Sequence, residues 1–171
     1  MARHYLPLFL ALGLGACGDP THDDAVEALG PEEPGVPAGP LHRPGQPCLV
    51  CHGGEGPSDA ELSVGGTAYK YVDTLEPLVN ALVKLTDRNG KTQLTGTNCA
   101  GNFFVQKTDY DPSYPFYTSV LFGGLEREMT TPVYRDGSCA GCHADPVGKE
   151  SIGHIFLIDN GYPPLPGSDC L

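Results

Sequence analysis

The segment Ala81-Leu82-Val83-Lys84-Leu85-Thr86-Asp87-Arg88-Asn89-Gly90-Lys91-Thr92-Gln93-Leu94 carries two local signals at once. Ala81, Val83 and Leu85 alternate with Leu82, Lys84 and Thr86, the period-two pattern of a half-buried strand. Asn89-Gly90 then marks a tight hairpin between Leu85 and Leu94, because both residues tolerate the positive φ of such turns. Outward from this hairpin the signals repeat. Leu62 to Val72 is rich in β-branched and aromatic residues, and its Gly65-Gly66 pair points to a bulge or a close backbone approach. Asn102 to Lys107 carries Phe103, Phe104 and Val105, and Tyr117 to Phe122 is closed by Gly123-Gly124. Short strands at this spacing, separated by Gly and Asn turns, predict a mainly β chain with an antiparallel β-sandwich over 62–131.

Two stretches of identical form flank the predicted sandwich. They are Cys48-Leu49-Val50-Cys51-His52 and Cys139-Ala140-Gly141-Cys142-His143, each reading C-x-x-C-H. This is the attachment pattern of a c-type haem. One helical turn puts both thiols on one side of the backbone, where they can form thioethers with the two haem vinyl groups. The histidine next in line then meets the iron as proximal ligand. A zinc site built from paired C-x-x-C motifs expects about 15–20 residues between them, whereas 87 positions separate His52 from Cys139. A redox-active C-x-x-C pair does not account for a histidine directly after both motifs. Residues 48–61 are therefore read as a first attachment segment, and 132–171 as a second attachment loop, a last strand and a Pro-rich tail. That strand is Ile155-Phe156-Leu157-Ile158. If it pairs back into the sandwich, the second motif sits in a loop inserted between two strands.

The amino terminus implies export. Arg3 precedes an apolar run from Leu6 to Leu14 that is too short to span a bilayer by the roughly 20-residue criterion. It ends in Leu14-Gly15-Ala16-Cys17. This resembles a bacterial lipobox, in which the cysteine is lipidated and anchors the mature chain in the envelope, on the periplasmic face or at the outer membrane. The other reading is ordinary cleavage after Ala16. Residues 18–47 contain seven prolines, five glycines and a run of acids. That composition predicts a disordered tether reaching up to about 90 Å at roughly 3.1 Å per residue. An oxidising compartment permits disulfides. Of seven cysteines, Cys17 goes to lipid and four to haem, and the remaining Cys99 and Cys170 suggest a bridge.

The run Val64-Gly65-Gly66-Thr67, then Pro77 to Asp87, Asn89-Gly90, Thr97 to Gly101 and Phe103 resembles the carboxypeptidase regulatory-like family. The likeness covers about 60 residues and rests on turns and core alternation. It implies a small transthyretin-like sandwich that acts as a scaffold or contact module rather than as a site of chemistry.

Far-side iron ligands must come from elsewhere in the chain. His42 stands six residues before Cys48, His154 opens the last apolar run, and Met129 is the sole methionine after the signal. His42 is assigned to the first haem, and Met129 or His154 to the second; His22 lies deep in the tether and is set aside. A methionine would raise its haem's potential relative to a second histidine. Formal charge is −11, and losing residues 1–16 removes only the cation Arg3, leaving the mature chain at −12. This disfavours nucleic acid and suits a basic redox partner. The reading is an envelope-anchored di-haem c-type electron carrier. The alternatives are a haem enzyme or ligand sensor with an open iron position, and a non-catalytic β-sandwich binding module.

Overall fold

The computed structural model describes residues 19–32 and 34–159, together with Leu165 and Cys170. The signal segment and the lipidation site Cys17 lie outside the described residues. Strand β1 is Leu62–Tyr71, β2 Leu82–Asp87, β3 Thr92–Gly96, β4 Asn102–Gln106, β5 Phe116–Phe122, β6 Leu125–Glu128 and β7 Ile155–Ile158. They form a four-stranded sheet of order β3-β2-β5-β6 and a three-stranded sheet of order β4-β1-β7.

The β2–β3 hairpin has Leu85 opposite Gln93 and Thr86 opposite Thr92. Its turn places Gly90 at φ +80°, a backbone state that glycine adopts without steric cost. Asp87 closes the turn. Its carboxylate accepts from the backbone N–H of Asn89 at 2.8 Å, Lys91 at 2.9 Å and Ser113 at 3.3 Å. Gly123-Gly124, expected to end a strand, instead turns β5 into β6, with Phe122 opposite Leu125. Both glycines have positive φ, as a two-residue hairpin turn requires. Strand β6 reads Leu-Glu-Arg-Glu, so no apolar alternation announces it; its charges suit a sheet edge exposed to water.

The core lies between the sheets. Val64, Ala68, Phe103 and Val105 of the smaller sheet meet Val83, Leu85, Phe116 and Val120 of the larger one, with Leu78 and Tyr110 also buried. The strand pairings are antiparallel as expected, with one exception. Strand β7 does return to the sandwich, but it pairs parallel to β1, with Ala68 opposite Ile155 and Tyr71 opposite Ile158. The long connection from β6 lets the chain cross over before β7 begins, which a parallel neighbour requires.

The disordered tether needs correction. Helix α1 spans Pro20–Ala28; Pro20 fits its first turn and the Asp19 side chain accepts from the Thr21 N–H. Arg43 then donates to the α1-terminal carbonyls of Leu29 and Gly30, to Gln46 and to Glu32. A cation suits the carbonyl end of a helix. Composition missed this segment because its order comes from hydrogen bonds and one ion pair rather than from apolar burial: α1 has no buried residue. Among the described residues no helix is long and apolar enough to cross a membrane.

Candidate functional site

Helix α2 is a single turn, Cys48–His52, opened by Pro47 and closed by Gly53. Its Cys48, Cys51 and His52 stand at i, i+3 and i+4, which share one helical face. The second motif repeats this geometry. A 3₁₀ turn over Cys139–Gly141 continues with the His143 N–H donating to the Cys139 carbonyl at 2.8 Å. It lies between β6 and β7. In both motifs the histidine Nδ1 is held by a backbone carbonyl ten residues or fewer downstream. His52 Nδ1 is 2.8 Å from Ala60 O, and His143 Nδ1 is 3.1 Å from Gly153 O. Donation from Nδ1 leaves Nε2 with its lone pair, the tautomer a metal needs.

Each motif opens onto a cavity. The first has a volume of about 520 Å³ and is lined by Cys48, Cys51 and His52, with His42 among the other walls. The second, about 630 Å³, is lined by Cys139, Cys142 and His143, with both Met129 and His154. Both volumes fall in the range that holds cofactors. Cys48, Cys51, Cys139 and Cys142 form no disulfide. Burial pushes the Cys48 thiol up from its ordinary pKa. Burial above all, with the Asp136 carboxylate adding to it, pushes Cys139 up to about 12. Burial thus keeps the Cys48 and Cys139 thiols protonated at neutral pH. Burial lowers the His143 pKa, against the opposing pull of the Gly153 carbonyl.

The structure separates the far-side candidates. The His42 and His52 rings lie 5.8 Å apart, centroid to centroid. The two rings are tilted by 41° to one another. His42 is positioned by features that no motif advertises. Asn102, buried on β4, donates to the carbonyls of His42 at 2.9 Å and Pro40 at 3.3 Å. Its side-chain oxygen accepts from the Thr67 hydroxyl, which in turn accepts from the Gly45 N–H. Asn98 adds a 2.6 Å bond to Pro40 O. His42 Nδ1 takes the Gly39 N–H at 3.4 Å and stands 3.8 Å from the Glu32 carboxylate. His22 does not line the first cavity, and its Nε2 is buried without a partner.

His154 is engaged on both nitrogens, at 2.7 Å from an Asp145 carboxylate oxygen and 3.0 Å from Tyr71 O. Its ring also packs edge-on to Tyr69. Met129 is half-buried just after β6, with its backbone N–H on Thr118 O. Cys99 and Cys170 are joined by a disulfide with Cα atoms 5.5 Å apart, which ties residue 170 to the β3–β4 connection.

Among the described residues no group of three or more His, Cys, Asp or Glu side chains is arranged to hold a metal ion by itself. A haem iron makes a smaller demand, since the porphyrin supplies its equatorial nitrogens and the protein only one or two axial ligands. Comparison with known proteins finds no matching family model, no similar curated protein and no matching solved structure.

Proposed function

We propose that the protein is an envelope-anchored electron carrier holding two covalently attached c-type haem groups. One observation carries this reading. Twice in the chain, two unbridged cysteines and a histidine on a single turn line a cavity of cofactor size, with a further donor, His42 or Met129, in the same wall. Bound there, each haem supplies a one-electron ferric–ferrous couple.

The chain's own residues do the rest. Cys48 and Cys51 hold the first group, and Cys139 and Cys142 the second. His52 and His143 would each supply an iron ligand, oriented by the Ala60 and Gly153 carbonyls. His42 ligates the first iron and Met129 the second. Arg135, in the wall of the second cavity, would supply a cation for a haem propionate there. Unlike axial pairs give unlike potentials, and the acidic surface draws a basic redox partner. The lipid anchor at Cys17 keeps the carrier at a membrane.

Expression in a host that matures c-type haem tests this directly. The intact mass is expected to show two haems, about 1.2 kDa above the apo-chain, with a c-type pyridine haemochrome band. Exchanging Cys48 and Cys51, or Cys139 and Cys142, for serine is expected to remove one haem each. No covalent haem in a competent host overturns the reading. Carbon monoxide binding to the ferrous protein at either site would move it toward the ligand-binding alternative.

A further inference from the structure

Gly65 and Gly66 are adjacent on β1, so their absent side chains would point to opposite faces of the sheet. A Cβ on Gly65 would stand 2.9 Å from Cys48 Cβ and 3.1 Å from its Sγ. A Cβ on Gly66 would stand 2.7 Å from Cys139 Cβ and 3.2 Å from its Sγ. Both contacts are closer than a side chain permits, so each attachment turn rests directly on bare backbone, one on either face. Strand β4 repeats the arrangement beside them. Phe104 pairs with Gly65 and lines the first cavity; Phe103 pairs with Gly66 and lines the second. Asn102, Phe104 and Gln106 face the outer side, while Phe103 belongs to the core between the sheets. The second turn is pinned from the same strand. The Gly65 N–H donates to Gly137 O at 3.0 Å, and Ser138 bridges to Gly65.

We infer that the Gly65-Gly66 dipeptide is a shared wall, one strand thick, that couples the two haem sites into a single two-centre unit. This rests on the haem reading above and goes beyond it. Two carriers in one chain need not communicate, but these are attached through Cys48 and Cys139 to the two faces of one dipeptide. The step this permits is the passage of one electron from a ferrous iron at one site to a ferric iron at the other. No bond is made or broken, and the chain's total charge is unchanged.

The test is Soret-region circular dichroism of the full-length protein, read after haem content has been counted. Coupled sites give a bisignate couplet in the unmodified protein. That couplet is expected to collapse to a single-signed band in both the Cys48→Ser/Cys51→Ser and the Cys139→Ser/Cys142→Ser variants. A spectrum without a couplet, in protein that carries two haems, overturns the coupling and leaves the carrier reading intact. Fewer than two haems overturns the carrier reading and the coupling with it, so haem stoichiometry tells the two failures apart. Gly65→Ala pushes on Cys48, and Gly66→Ala on Cys139 and on the Phe103 ring, 2.9 Å from the added Cβ. Any variant that retains two haems should show a weaker couplet, and an unaltered couplet in both counts against the shared wall.

Discussion

At the scale of single residues, His42 and Met129 carry the most consequence. On the haem proposal, His42→Ala is expected to turn a six-coordinate low-spin first haem into one that is high-spin and open to carbon monoxide. His22→Ala is expected to leave the visible spectrum unchanged, because His22 does not line the cavity. Electron paramagnetic resonance of the ferric variants distinguishes the two. Met129→Ala should lower the potential of the second haem in a redox titration, since a thioether ligand raises it. His154→Gln should not, since both His154 nitrogens are already engaged. A sequence-level choice between Met129 and His154 was out of reach because it turns on Asp145 and on Tyr71, whose carbonyl lies 83 positions away.

At the scale of elements, two hydrogen-bonded units are exposed to test. The first holds the 40–45 segment on the sandwich. Asn102→Ala strips partners from the carbonyls of Pro40 and His42 and from the Thr67 hydroxyl. A loss of about 1–3 kcal/mol in denaturant unfolding is expected. The His42 signature should weaken with it, which a purely structural role for Asn102 would not produce. The second unit is the β2–β3 turn. Burial acts to raise the Asp87 carboxyl, but the backbone N–H groups of Lys91, Ser113 and Asn89 outweigh it and hold the pKa below the ordinary value. A carboxyl lowered in the folded state stabilises fully above its unfolded pKa of about 3.9, and that contribution is lost as pH falls through the folded value. Asp87→Asn should therefore lower the melting temperature at neutral pH and flatten its fall in acid. Asn89-Gly90 made the hairpin legible from sequence, but not the Ser113 bond, which joins the turn to a loop before β5. Helix α1 and strand β6 were not legible, the one for want of apolar periodicity and the other because an edge strand needs none.

At the scale of the whole molecule, stability rests on the inter-sheet core and on one covalent tie. Phe116, fully buried, contributes through packing, and Phe116→Ala is expected to cost about 3–5 kcal/mol. The Cys99–Cys170 bridge closes 71 positions of chain. By loop entropy Cys170→Ser should cost about 4 kcal/mol in guanidinium unfolding. The sequence by itself determined what is local: the two C-x-x-C-H turns, the hairpin, most of the strands and the acidic surface. These follow from helical and strand periods that act over a few neighbouring residues. The tertiary structure alone decided that His42 lines the cavity of the first motif and Met129 and His154 that of the second, that 40–47 folds onto β1 and β4, and that β7 runs parallel to β1. It also brought Cys48 and Cys139, distant in sequence, to the two faces of Gly65-Gly66. The physical reason is that sheet pairing joins segments by hydrogen bonds indifferent to sequence separation, and no periodicity along the chain records which segments meet.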